Sequence, residues 1–320
     1  MTAATAVFNL AALVASDCGT PDLARTWCHR LANIAPAHTN EPRHALEPIV
    51  NLARLHIRAG NGPAAWTLLE ELFQAIDTRT DITIDGITIP AAALTATPGT
   101  HAETRKWLWT VLLGTGAQAL ATAGRWEEAS QRLGQYKGIG ARMLDGRQVA
   151  IIAHAVAGRS EQARAMLTAT QPGEPWEDAV TACLSLHVPT GSPADPTAAA
   201  HTAYERLDHG EPGLVVFRIR LGLIVVDALE GGHPARRRVT ASLIRQAMSD
   251  GYAARALLSH PGRLDLATAQ QIRQLNDLMS ACGLGLGTIS PGHLAALSSA
   301  LDTAESVIEH QEQREPHLPV

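Results

Sequence analysis

Apolar residues recur at helical spacing through most of this chain. They fall at i, i+3, i+4 and i+7, the pattern of a helix with one buried face. Glycines follow many of these runs and prolines precede others, as expected at helix ends and helix starts respectively. The pattern predicts helices over residues 3–17, 21–35, 43–59, 63–77, 100–123, 125–136, 142–157, 160–170, 175–187, 196–208, 213–230, 234–249, 265–282 and 291–310.

Residues 82–89 follow a different pattern, in which apolar and polar residues alternate on both sides of Asp85 and Gly86. Alternation is typical of a strand with one buried face, and an Asp-Gly pair favours the tight turn of a β-hairpin. We therefore predict a hairpin of strands 81–84 and 87–90. Because a two-stranded hairpin is marginally stable alone, its isoleucines are expected to pack on helices or on a partner.

A glycine, an alanine five residues later and a mid-sized residue nine residues later recur four times. The four sets are Gly19/Ala24/Cys28, Gly60/Ala65/Leu69, Gly124/Ala129/Leu133 and Gly158/Ala163/Leu167. The last two sets are 34 residues apart, a period at which helical hairpins repeat. Ala12, Ala53 and Ala117 each precede a glycine of the series by seven residues, where a small side chain lets two helices approach closely.

This register resembles that of the tetratricopeptide repeats. The run Gly-Arg-Trp-Glu-Glu-Ala at residues 124–129 is similar to the turn between the two helices of such a repeat. Pro36 and Pro175 each lie 17 residues after a glycine of the series, at the position where a repeat closes. The resemblance covers about residues 1–175.

The resemblance implies a right-handed α-solenoid of antiparallel helix pairs. The expected fold class is therefore all-α, with one inserted β-hairpin near residues 81–90. We expect tetratricopeptide-like repeats with this hairpin over residues 1–175 and a further, less regular helical stack over residues 176–310. Residues 311–320 are polar and are expected to form a disordered tail.

Composition and charge exclude several classes of function. The chain is 46% apolar and 18% charged, as in ordinary soluble proteins, and its net charge of −5 argues against general binding to nucleic acid or acidic membranes. The apolar stretch from Leu214 to Leu229 contains three charged residues and is too short to span a bilayer. The four cysteines form no CxxC pair, so we expect reduced cysteines and a cytoplasmic protein.

No compact catalytic or metal-binding motif occurs in the sequence. None of the 14 histidines has the spacing of a metal site, and neither GxSxG nor a Walker-type loop is present. Gly283, Gly285 and Gly287 lack the preceding strand and the spacing of a dinucleotide-binding loop, so they are predicted to connect two helices. We expect no metal, no cofactor and no catalytic residues.

In tetratricopeptide proteins, polar side chains on the first helix of each pair face a concave groove. Applying the same offsets from the glycines of this chain assigns six partner-binding residues, Asn9, Arg54, Arg58, Gln118, Asp145 and Gln148. Their amide and guanidinium groups suit the backbone and the acidic groups of an extended segment. The expected function is noncatalytic binding of a peptide or protein partner, in a regulatory or scaffolding role.

An enzyme or accessory protein in peptide or natural-product maturation is a second hypothesis. His56 and His154 each lie four residues before a glycine of the series, and with Arg54 they would line a polar pocket. A closed pocket of converging charges would favour this hypothesis, whereas an open groove would favour partner binding.

A structural homo-oligomer is a third hypothesis. Ile84, Ile87, Trp107 and Trp109 are candidates for a contact surface around the hairpin, because an exposed tryptophan is a common binding anchor. Hairpins from two copies of the chain would then pair edge to edge.

Overall fold

The computed structural model describes residues 2–38, 41–188, 195–207, 212–230, 232–260 and 267–310, and these residues are mostly helical. The α-helices are α1 (Thr2–Asp17), α2 (Pro21–His38), α3 (Pro42–Arg58), α4 (Gly62–Thr78), α5 (Ala91–Leu94), α6 (Pro98–Val111), α7 (Ala117–Thr122), α8 (Trp126–Gln135), α9 (Asp145–Val156), α10 (Ser160–Thr168), α11 (Pro175–Ser185), α12 (Pro196–Glu205), α13 (Val215–Ala228), α14 (Pro234–Ala247), α15 (Gly251–Leu258), α16 (Ala269–Ala281) and α17 (Pro291–Glu309). A π-helical turn, Leu112–Gly116, joins α6 to α7, and a short 3₁₀ turn, Pro212–Leu214, precedes α13. The strands are β1 (Ile82–Ile84) and β2 (Ile87–Ile89).

The prediction of an all-α fold with one β-hairpin is confirmed. None of the helices in the described ranges combines the length and the apolar character that crossing a membrane requires. The predicted disordered tail, residues 311–320, lies outside the described residues.

The chain divides into two compact units. The first unit contains the described residues of Met1–Ala129 and Gly285–Val320, and the second contains those of Ser130–Leu284. The predicted repeat region, residues 1–175, thus supplies the first part of one unit and a portion of the other.

Successive helices pack against each other in the first unit. α1 contacts α2, α2 contacts α3, and α3 contacts α4, which in turn packs on α6 and α7. Phe8, Leu31, Ile49 and Trp66 are among the side chains buried between them. The fold also brings α1 into contact with α3, so the first helices of the first two pairs are neighbours.

The hairpin forms where the sequence predicts it. Ile84 pairs with Ile87 across a turn in which Asp85 and Gly86 both have positive φ, 51° and 79°. β1 packs on α4 and β2 packs on α2. The hairpin therefore belongs to the first unit and is stabilised by these two helices.

The chain returns to the first unit through α17, which packs on α1 and α2. Arg30 of α2 forms ion pairs with Asp302 and Glu305 of α17. The loop before α17 contains the predicted inter-helix glycines, and this prediction is confirmed because they lie between α16 and α17.

Two glycines of that loop also cap α1. The Gly285 N–H donates to the Asp17 carbonyl over 2.8 Å, and the Gly287 N–H donates to the Cys18 carbonyl over 2.7 Å. Carbonyls at the end of a helix have no partner within the helix, so these two bonds satisfy groups that would otherwise need water. The loop thus fastens the carboxyl end of α1.

The second unit also consists of paired neighbours. α9 packs on α10, α11 on α12, α13 on α14, and α15 on α16, while α13 additionally contacts α11, α12 and α15. Ile151, Leu167, Ile219, Leu243 and Leu275 are among the buried side chains of its core.

A buried carboxylate makes the stability of the second unit sensitive to acid. The Glu177 side chain is 1% exposed and forms an ion pair with Arg142. It also accepts the Glu174 N–H over 3.1 Å in the capping box of α11. The Arg142 guanidinium holds the pKa of Glu177 below its ordinary value, although burial opposes the shift.

Glu177→Gln is therefore expected to lower the free energy of unfolding by about 2 kcal/mol at pH 7, because it removes a charged hydrogen bond. The pKa of Glu177 in the folded state lies below its unfolded value of about 4.3. The extra free energy of unfolding of the wild type is therefore fully present above pH 4.3 and is lost as the pH falls through the folded-state pKa. Urea unfolding at pH 7 and at successively lower pH should show the two proteins converging. Glu161→Gln, at a carboxylate that is 79% exposed, is the matched control and should change stability by less than about 0.5 kcal/mol; a gap between wild type and Glu177→Gln that stays constant with pH would contradict the assignment.

Candidate functional site

Two hydrogen bonds join α1 to α3. The Asn51 side-chain amide donates to Asn9 Oδ1 over 2.8 Å, and the Arg58 guanidinium donates to Ser16 Oγ over 2.5 Å. Each bond joins residues 42 positions apart, and the two bonds are seven residues apart on both helices. The helices therefore run parallel and in register, and the two bonds are separated by about 10.5 Å along the helix axes.

A cavity of about 200 Å³ lies between these helices and includes both bonded pairs in its lining. We call it the α1–α3 groove. Cys28 of α2 forms part of its floor. Burial raises the pKa of the Cys28 thiol to about 12, so this sulfur is a packing group and not a nucleophile at neutral pH.

The α1 wall of the groove combines the polar Asn9 and Ser16 with exposed apolar residues. Leu10 and Leu13 line the cavity, yet they remain 61% and 43% exposed, and Val14 beside them is 41% exposed. Isolated exposed leucines are common, but three adjacent large apolar residues beside a cavity form a surface on which a partner can bury apolar area.

The α3 wall is polar except for Leu55, and two of its polar side chains hold each other in place. Arg54 donates to Asn51 Oδ1 over 2.6 Å, and Asn51 in turn donates to Asn9. This chain of bonds fixes the orientation of the Asn51 amide, because both of its ends are used. Within the part of the chain that the structure describes, no carboxylate forms an ion pair with Arg54.

Arg58 differs from Arg54 because its charge is already balanced. Its guanidinium lies 2.8 Å from Asp17 Oδ1, and the Asp17 side chain is only 6% exposed. A buried carboxylate requires such a partner. Arg58 therefore holds the carboxyl end of α1, and Arg54 supplies the unbalanced positive charge of the groove.

The structure brings together Asn9, Arg54 and Arg58 of the six residues assigned to partner binding. Gln118 is exposed on α7 but does not line the groove. Asp145 and Gln148 lie on α9 in the second unit, where the Gln148 side chain donates to the Met143 carbonyl over 3.0 Å.

Eight groove residues escaped the sequence assignment, among them Leu10, Leu13, Glu47 and Asn51. The two leucines are indistinguishable from core residues in the apolar pattern. A signal for the other two existed, because Glu47 and Asn51 lie seven and three residues before Arg54 and therefore on the same helix face.

The structure does not bring His56 and His154 together with Arg54 in one polar pocket. His56 does not line the cavity that contains Arg54, and His154 lies in the second unit, where it accepts a hydrogen bond from Arg159 Nε over 2.8 Å. Burial lowers the pKa of His56, Arg25 lowers it further, and Asp85 opposes the shift. Within the described residues, no group of three histidine, cysteine or acidic side chains could hold a metal ion.

The predicted contact surface around the hairpin needs correction for its isoleucines. Ile84 and Ile87 are only 5% and 2% exposed, because the hairpin buries them against helices of its own unit. A partner could reach these side chains only if the hairpin left α2 and α4. The two tryptophans are half-buried, and Trp107 lies beneath the Arg43 guanidinium at 5.5 Å.

The turn of the hairpin is tied to α2. Asp85 forms an ion pair with Arg25, and the His29 ring nitrogen Nε2 lies 3.0 Å from Asp85 Oδ2. An edge-to-edge homo-oligomer would therefore use the backbone of the strands and the exposed Thr83 and Thr88, with the hairpin kept in place.

Comparison with protein-family models, with curated proteins and with solved structures gives no match to this chain.

Proposed function

We propose that this chain is a noncatalytic binding protein that holds a segment of a peptide or protein partner in the α1–α3 groove. One observation carries the proposal: the exposed Leu10 and Leu13 lie opposite Arg54, whose charge no described carboxylate balances. A partner that buries apolar area on the leucines and pairs an acidic group with Arg54 satisfies both walls at once.

The chemistry of Arg54 suits a carboxylate of the partner. A guanidinium presents its N–H groups in a planar fork that matches a carboxylate, and the bond to Asn51 restricts the fork before binding. The restriction reduces the side-chain entropy lost on binding. Asn9 uses its oxygen to accept from Asn51, so we assign its amide N–H groups to a backbone carbonyl of the partner.

The size of the groove favours side-chain recognition over an enclosed substrate. Its volume of about 200 Å³ is below the range of about 300–1,000 Å³ typical of sites that enclose small molecules. A groove of this size accepts one or two side chains of a segment that continues beyond it. This argument favours partner binding over the enzyme hypothesis.

The proposal also includes a helical-repeat architecture for the chain and a location in the cytoplasm. The parallel register of α1 and α3 supports a tetratricopeptide-like stack of helix pairs in the first unit, and its right-handed course is proposed from the resemblance alone. All four cysteines are free, which supports the cytoplasm as the compartment. The proposed role is regulatory or scaffolding, with no cofactor, nucleic acid or membrane involved.

Panning a phage library of random twelve-residue peptides on the full chain is expected to enrich peptides that combine an acidic and an apolar residue. For the tightest peptide, Arg54→Ala should weaken affinity about tenfold in calorimetry, the loss typical of one charged hydrogen bond. Leu13→Asp should weaken it by a similar factor, because it places a like charge beside the carboxylate of the peptide. Arg58 is unsuitable as a test, since its removal would leave the buried Asp17 without its cation.

Arg245→Ala is the matched control, because Arg245 is an exposed arginine of α14 in the second unit. It should leave affinity unchanged. Circular dichroism and thermal unfolding should show that every variant is folded. An Arg54→Ala variant that is folded and binds the peptide as tightly as wild type would exclude the groove as the binding site.

A further inference from the structure

The α1–α3 groove carries unlike charges along its α3 side. Glu47 lines it together with Arg54, and the two residues are seven positions apart on α3. Seven residues are two helical turns, so both side chains lie on the same face and are separated by about 10.5 Å along the axis. Between them, the register of the two helices places Asn9 and Leu10 of α1 and Asn51 of α3.

Among the described residues, Arg54 has no ion-pair partner and Glu47 has only a distant one. The nearest ion-pair partner of Glu47 is Arg43 at 3.8 Å, at the limit of an ion pair, and the Arg43 side chain is 63% exposed. Arg43 also lies over the Trp107 ring, which holds its guanidinium on the side of α6. Exposed ion pairs of this kind contribute little stability, so Glu47 can exchange Arg43 for a basic side chain of a ligand at little cost.

We infer that the partner segment is extended and carries a basic and an acidic side chain, with the basic one at Glu47 and the acidic one at Arg54. This inference rests on the proposed function and specifies the partner. The backbone carbonyls of an α-helix are already hydrogen-bonded within the helix, so an extended segment is the form that can offer a carbonyl to Asn9. An extended chain of the polyproline II type advances about 3.1 Å per residue with three residues per turn, so side chains three positions apart lie on one side, about 9 Å apart.

The negative charge of Glu47 also excludes ligands. A purely acidic segment would satisfy Arg54 but would place a second carboxylate beside Glu47, and like charges brought together at an interface disfavour binding. Glu47 is thus a specificity residue: it selects segments of mixed charge and rejects acidic ones that Arg54 alone would bind.

The test uses the random twelve-residue phage library on wild type and on Glu47→Lys. The wild-type pool is expected to contain an acidic residue with a basic residue three positions away, and the Glu47→Lys pool should carry a second acidic residue at that place. A wild-type pool that is acidic only, or two pools with the same basic residue, would overturn the inference.

A double-mutant cycle then measures the contact directly. The wild-type-selected peptide and its derivative with the basic residue replaced by glutamine are titrated against wild type and against Glu47→Gln. Each single change should weaken binding about fivefold, and the two together no more than either alone. Independent effects that multiply, or a Glu47→Gln variant that binds as tightly as wild type, would overturn the inference.

The two proposals fail separately. If Arg54→Ala leaves the affinity of the selected peptide unchanged, the proposed function fails and the inference with it. If Arg54→Ala weakens binding and Glu47→Gln does not, the groove is the binding site and only the mixed-charge partner is wrong. Glu47 is a partly exposed side chain of a helix surface, and thermal unfolding should confirm that both of its variants are folded.

Discussion

Gly62→Ala is expected to lower the free energy of unfolding by more than about 3 kcal/mol, a large effect for one added methyl group. Gly62 is the first residue of α4, and a Cβ at this position would overlap the backbone carbonyl of Ala119 in α7. It would also lie 2.9 Å from Ala123 Cβ. A backbone carbonyl cannot rotate aside as a long side chain can, so α4 and α7 would have to separate.

Alanine substitutions at two other glycines distinguish the steric effect at Gly62 from the backbone effects of replacing any glycine. Gly60 has φ +76° and no atom within 4 Å of an added Cβ, so Gly60→Ala should cost only about 1–2 kcal/mol for the left-handed conformation. Gly99, in the first turn of α6, has open space and no positive φ, so Gly99→Ala should be neutral or stabilising by up to about 1 kcal/mol.

Urea unfolding followed by circular dichroism gives the order of the three variants. The expected order of destabilisation is Gly62→Ala, then Gly60→Ala, then Gly99→Ala. If Gly62→Ala is as stable as Gly99→Ala, α4 and α7 do not approach at this point.

Arg147→Met should lower the free energy of unfolding by about 3 kcal/mol, because it removes hydrogen bonds within the second unit. The Arg147 side chain is buried in α9 and donates to three oxygens, the Gly140 carbonyl at 2.7 Å, the Met166 carbonyl at 2.6 Å and Thr170 Oγ1 at 2.9 Å. Methionine has a similar length but no donor, so it would leave two carbonyls without their arginine partner. Burial lowers the pKa of Arg147 from its ordinary value.

Arg147→Lys distinguishes hydrogen-bond geometry from charge. An ammonium group keeps the charge but cannot span three acceptors from one position. The free energy of unfolding of Arg147→Lys should therefore lie between those of wild type and Arg147→Met. Arg238→Met, at an exposed arginine of α14, is the control and should change stability by less than about 0.5 kcal/mol. Equal urea midpoints for Arg147→Met and Arg238→Met would contradict the structural role.

Local features of the fold could be predicted because their causes are local. Gly19, Gly60, Gly124 and Gly158 follow helices and have positive φ, and Asp85-Gly86 forms the hairpin turn. The glycine register also places α1 beside α3. Gly19 and Gly60 are 41 positions apart, and the two partners of each α1–α3 hydrogen bond are 42 positions apart. Asn9, Arg54 and Arg58 were therefore within reach of sequence reasoning.

Features that depend on tertiary packing could not be predicted in this way. Leu10 and Leu13 fit an apolar helix face, and only the packed structure shows which apolar positions stay exposed. The Arg30–Glu305 pair joins residues 275 positions apart, and no periodicity in the sequence indicates such a contact. Ile84 and Ile87 were candidates for a partner surface because their burial depends on α2 and α4 and not on the hairpin itself.

The capping of α1 by Gly285 and Gly287 has a consequence for biosynthesis. Chains grow at about 5–20 residues per second, so the ribosome delivers this loop tens of seconds after α1 has emerged. During that interval α1 lacks the two bonds from Gly285 and Gly287 and the contacts with α17, and contacts of such long sequence separation form slowly. A nascent chain halted before residue 285 would therefore display an incomplete first unit, and chaperones that bind exposed apolar helices would meet α1 first.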